Sequence, residues 1–136
     1  MLEKYGIACD LFDLRVARPL ALNEIFSSVK KTSCFLTVDI GYKLLGLGSE
    51  ITSQIVENCF SSLKKAPKRI GLPDHPTPSS RGYIKGFYPD YKKIILDVCD
   101  LVDIDQKIKD KILTEVINKP DELPIDIPDP SFQGPF

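Results

Sequence analysis

Apolar and polar positions along this chain fall into two alternating rhythms. Ile7-Ala8-Cys9-Asp10-Leu11-Phe12-Asp13-Leu14 is a short, largely apolar run behind Gly6, and it predicts a buried strand. Pro19 closes it, because proline removes a ladder donor. Leu22, Ile25, Phe26 and Val29 then recur at helical spacing, with Lys30 and Lys31 in the last turn of a helix over residues 23–31. Residues 34–39 are apolar apart from Thr37 and Asp39, which suits a parallel strand covered on both faces. A glycine-punctuated loop runs from Gly41 to Gly48, after which Ser49 is expected to cap a helix. Its stripe is Ile51, Ile55, Val56, Cys59, Phe60 and Leu63. Residues 67–72 read as a third strand, and Pro73, Pro76 and Pro78 hold the segment after it extended. Pro89-Asp90 opens another helix, with Tyr91, Ile94, Ile95, Val98, Leu101 and Val102 facing inward. Residues 105–118 form a last helix through Ile108, Ile112, Leu113, Val116 and Ile117. Ile25, Phe26, Ile51, Ile55 and Phe60 are the expected core.

This alternation of strand and helix predicts an α/β layered fold with a mainly parallel sheet. Three strands are few for three layers. The opening Leu2-Glu3-Lys4-Tyr5-Gly6 resembles the last turn of a helix and its glycine cap, as if earlier elements had been removed. The 136 residues suffice for one domain. A net charge of -1 excludes the broad basic footprint of a nucleic-acid binder. That balance hides a local net of +6 over residues 61–93 and of -4 over residues 103–136. No apolar run spans a membrane, and no signal-peptide core follows Met1, so a cytosolic chain is expected. Cys9, Cys34, Cys59 and Cys99 are too widely spaced for a metal or redox motif and read as small buried hydrophobes.

Several residues qualify as chemistry. Gly46-Leu47-Gly48-Ser49 at a helix start offers an anion cradle, although no P-loop lysine follows; the structural reading is a tight loop bringing helix and sheet together. Arg15 and Arg18 leave one strand end together and suit a phosphate or carboxylate, or internal pairing with Asp10, Asp13 or Glu50. His75 sits between prolines beside Asp74, with no nucleophile placed near it in sequence. Tyr42, Tyr83, Phe87 and Tyr88 are candidate interface residues, and core packing is the alternative for Phe87 and Tyr88. No catalytic, cofactor-binding or metal-ligating residue is assigned.

Certain runs are recognisable together. Asp13-Leu14-Arg15-Val16-Ala17-Arg18-Pro19-Leu20 is followed by Ser28-Val29-Lys30-Lys31-Thr32, Gly41-Tyr42 and Gly46-Leu47-Gly48-Ser49-Glu50-Ile51. Ile70-Gly71-Leu72-Pro73-Asp74 and Tyr88-Pro89 complete the set. In this order and spacing, across residues 7–102, they resemble the C-terminal domain of the transketolase family. The likeness is strongest to the pyruvate dehydrogenase-like beta subunits of thiamine-diphosphate-dependent 2-oxo-acid dehydrogenases. The resemblance implies a three-layer α/β/α domain, here without its first two strands. One of these normally lies between the segments at Ile7 and Cys34. It also implies a parent enzyme using thiamine diphosphate and Mg, held in domains this chain does not contain. The chain is then an assembly domain for dimer packing and partner docking, inactive alone. An independent module binding an anionic metabolite is the alternative. The expected layout is the family domain over 1–102, an extra helix over 103–118 and an acidic, proline-rich tail over 119–136. Expected partners are a second copy or the missing N-terminal domains, with neither nucleic acid nor membrane. Docking to the acyltransferase core is put in question by Lys65, which stands where relatives commonly carry a carboxylate, and by Ala21, where they carry Asp.

Overall fold

A computed structural model describes residues 1–119. The acidic tail predicted over 119–136 therefore lies, but for Lys119, outside the described residues.

Two parallel strands pair directly: β1 (Leu36–Tyr42) and β2 (Lys68–Leu72), with Val38 opposite Ile70 and Tyr42 opposite Leu72. Four helices surround them, α1 (Asn23–Thr32), α2 (Leu47–Cys59), α3 (Tyr91–Leu101) and α4 (Gln106–Asn118). Side chains alternate across a strand, so residues of one register pair share a face. Arg69 and Thr37 reach α2 on one face, while Lys68 reaches α3 on the other. The result is the expected α/β/α layering around a small parallel sheet.

Each layer has its own core. Leu22, Ile25 and Val29 of the α1 region pack on Ile51, Ile55 and Cys59 of α2. On the opposite side Ile95 and Cys99 of α3 meet Ile112 and Val116 of α4, and Ile7 completes the cluster. Asp90 and Asp105 cap α3 and α4 by accepting from the amides of Lys93 and Lys107. A short 3-10 turn, Leu2–Tyr5, ends at Gly6 in the left-handed conformation (φ 76°), the glycine stop its sequence suggests.

Four expectations need correction. Residues 7–14 form no strand, and among the described residues only the stretches near Leu36 and Ile70 share a sheet. A strand exists through its ladder, and no described residue offers these amides one. The segment instead crosses between helical layers. Ile7 is buried with α3 and α4, while Asp10 accepts from Ser28 and pairs with Lys31, both on α1. Ser49 is not the cap of α2: the helix begins at Leu47 behind Gly46. Phe60 is exposed, because the helical period breaks at the 3-10 turn Phe60–Ser62. Cys9 is exposed as well, carried to the surface by the same unpaired segment.

Candidate functional site

The loop from Tyr42 to Ser49 is the first candidate. A Cβ added at Gly46 would lie 2.0 Å from the Tyr42 carbonyl oxygen, so only glycine lets the chain turn there. At Gly48 the added atom would come within 2.9 Å of Thr37 Oγ1, which shows how closely the helix start rests on β1. Arg69 of β2 clasps the loop: its guanidinium donates to the Lys43 carbonyl at 3.0 Å and to the Ser49 hydroxyl. Ser49 in turn donates its hydroxyl to the Lys43 carbonyl and its amide to the Gly46 carbonyl. The Ser49 amide and hydroxyl and the Arg69 guanidinium are thus engaged within the loop. Among the described residues no three His, Cys, Asp or Glu side chains converge as metal ligands.

The arginines stand apart from that loop in their bonding. Arg15 pairs with Asp13 two residues away, at 3.0 Å, and holds the Asp13 carboxyl below its ordinary range. Arg18 is exposed and makes no ion pair among the described residues. His75 is exposed, with Nδ1 3.1 Å from the Pro76 carbonyl and its ring 5.1 Å from Phe87.

The aromatic candidates divide. Tyr42, Tyr83 and Tyr88 are exposed, at 45%, 77% and 42%. Phe87 is buried at 5%, edge-on to Tyr88 with ring centres 5.0 Å apart, so it supports this surface without being presented to a partner. Neither Cys9 nor Cys99 is an activated nucleophile. The Cys99 thiol is pushed up chiefly by burial, and that of Cys9 by desolvation, with Asp10 and Glu3 adding to it.

What the sequence did not reveal is a charge network joining β2, α3 and α4. Lys68 bridges Asp97 and Asp100, each at 2.9 Å; Lys93 also holds Asp97, and Lys109 holds Asp100 at 2.6 Å. Lys65 pairs with Asp103 at 2.8 Å and donates to the Asp100 carbonyl. The hydrogen bonds from Lys109 and Lys68 hold the Asp100 carboxyl down to about 2. Much of the local basic excess is therefore met by carboxylates of α3 and the turn after it. Lysines at 65 and 68 and aspartates at 97, 100 and 103 were visible, but their convergence requires the fold.

Comparison with known proteins agrees with this architecture. Residues 1–94 match the family described as transketolase, C-terminal domain. The chain is 32% identical over 104 residues to the mitochondrial pyruvate dehydrogenase E1 component subunit beta of Saccharomyces cerevisiae, covering 76% of this chain and 28% of that one. With the Pisum sativum subunit of the same name it shares 40% over 78 residues, 57% of this chain and 22% of that one. With the human subunit it shares 31% over 99 residues, 72% and 28%. The chain thus spans under a third of the length of the curated relatives it matches. Together with the layered fold around β1 and β2, the match over residues 1–94 shows that this chain belongs to the transketolase C-terminal domain family.

Proposed function

We propose that the chain is the C-terminal assembly domain of a thiamine-diphosphate-dependent 2-oxo-acid dehydrogenase, packing a dimer and presenting a docking face. The coenzyme and its Mg are held by other domains of that enzyme. One observation carries this reading. Among the described residues β1 has a strand on one side only, and its Val38 and Ile40 are 48% and 78% exposed. Leu11, Phe12 and Val16 of the unpaired crossing segment are exposed as well. An open strand edge with apolar side chains calls for a covering partner. Beta-subunit relatives in yeast, pea and human supply the dehydrogenase context, and their names place those proteins in mitochondria. Lys65, engaged with Asp103, speaks for a docking face unlike that of relatives with a carboxylate there.

The test is light scattering of the purified chain beside the Val38→Lys/Ile40→Lys variant, with folding of both checked by circular dichroism. A dimer that becomes monomeric in the variant supports the proposal, and a wild-type chain monomeric at all concentrations overturns it. No turnover of pyruvate is expected from the chain alone, even with thiamine diphosphate and Mg supplied. An anion-binding module would instead show a raised melting temperature with a phosphorylated sugar, a nucleotide or a 2-oxo acid. With Ser49 held by Arg69, no such shift is expected.

A further inference from the structure

The two outer edges of the sheet differ in how they are protected. Among the described residues β1 and β2 pair only with each other, so each leaves one side open. β2 carries the usual deterrents to further pairing: Pro67 and Pro73 bracket it, and Lys68 and Arg69 stand within it. β1 runs from Leu36 to Tyr42 without a proline or a cation, and Asp39 is its one charge.

The bonds between the strands tell which backbone groups of β1 are left over. The Lys68 amide donates to the Phe35 carbonyl, and the Lys43 amide donates to the Leu72 carbonyl. Odd-numbered residues of β1 therefore turn their backbone groups toward β2, since these groups alternate along a strand. The register shift keeps that alternation, because Tyr42 follows Val38 by four residues where Leu72 follows Ile70 by two. Leu36, Val38 and Ile40 turn theirs to the open side, and Val38 and Ile40 also expose apolar side chains there.

A second copy offers the same edge, and a two-fold axis through two such edges pairs them antiparallel. The axis can pass at Val38, Asp39 or Ile40. At Asp39 it would set two carboxylates directly opposite, which is destabilising. At Ile40 it would oppose the two irregular stretches, where the Asp39 carboxylate takes the Gly41 amide at 2.9 Å. At Val38 it does neither: Leu36 faces Ile40 of the second copy, and Thr37 faces its Asp39, a hydroxyl against a carboxylate. Resting on the dimer proposed above, we infer that two copies join through their β1 edges, antiparallel with Val38 on the axis, into one sheet ordered β2-β1-β1-β2.

The test uses the full chain at a concentration where light scattering reports a dimer. Hydrogen-bonded antiparallel partners hold their Cα atoms about 5.5 Å apart, within reach of a disulfide. Under mild oxidation the introduced thiols of Val38→Cys should join two chains to each other, as mass spectrometry of the linked peptide reads. Ile40→Cys should not link to itself, because the two positions stand roughly 14 Å apart, four residues along the strand. The unsubstituted chain gives a second reading. Backbone amides of Leu36, Val38 and Ile40 should exchange at least several-fold more slowly in the dimer than after dilution to the monomer. The Thr37 amide, turned toward β2, should stay protected in both. A dimer in which Val38→Cys fails to link, Ile40→Cys links to itself, or the even-numbered amides exchange freely would overturn this pairing and leave the dimer standing. A chain monomeric at all concentrations would overturn both.

Discussion

The ammonium of Lys68 on β2 lies 2.9 Å from the carboxylate of Asp97, the buried charged residue of α3. A charge withdrawn from water needs such a partner, and removing one member leaves the other uncompensated. Lys93 still holds Asp97 when Lys68 is lost, which limits the damage. Lys68→Ala is expected to cost about 1–2 kcal/mol in urea denaturation, a range set by charged hydrogen bonds. A variant as stable as the parent would show that the pair contributes nothing.

Acid should act through the same network. Hydrogen bonds from Lys109 and Lys68 put Asp100 at about 2 in the folded chain, against 3.8 ordinarily. Burial opposes ionisation of Asp97, yet the bonds from Lys93 and Lys68 outweigh it and lower that carboxyl too. Carboxyls lowered on folding stabilise fully above their unfolded value and lose that contribution as pH falls through the folded one. The urea midpoint should therefore hold near neutrality and drop between about pH 4 and pH 2. Lys68→Ala should flatten that drop. An identical acid slope in both proteins would remove Lys68 from the account.

Gly46 offers a sharper steric test. The 2.0 Å approach to the Tyr42 carbonyl is to backbone, which cannot swing aside as a side chain would. Gly46→Ala should cost about 1–3 kcal/mol or more, the range of overpacking, and should perturb the amide of Ser49. An unchanged midpoint would mean the turn is looser than described.

Leu45, one residue earlier, is 93% exposed and held at φ 56°, a conformation leucine adopts at a cost of roughly 1 kcal/mol. Asparagine tolerates it better. Leu45→Asn should raise the melting temperature of the isolated chain, because almost no burial is lost. A lower value would reveal a contact made by this leucine.

In α4, Ile112 is fully buried and Ile117 is 72% exposed, although both stand in the stripe read from the sequence. Ile112→Ala should cost about 2–5 kcal/mol, as buried cavities do. Ile117→Ala should stay within about 0.5 kcal/mol. Equal effects would mean the helix is rotated from the described phase.

Much of the fold was legible because local chemistry decided it. The prolines at 67 and 73 bracket β2, Asp90 and Asp105 cap their helices, and the stripe Ile51, Ile55, Cys59 gave the buried face of α2. Residues 7–14 misled for a physical reason. Their apolar run is compatible with a strand, but hydrogen-bonding neighbours, which no run of letters contains, decide whether one forms. Ser49 misled more locally, since its position before a helical stripe suits a cap while its hydroxyl serves the clasp with Arg69. The loop's bonding turned on Arg69, twenty residues away from Ser49, and that clasp became visible only when the strand beside the loop was placed.

Ile7 sits in one cluster with Ile112 and Val116, and Lys4 and Tyr5 both bond Glu115. The bonds that Lys4 and Tyr5 make thus close loops of 111 and 110 residues, so the opening turn is fastened by some of the most distant contacts in the described chain.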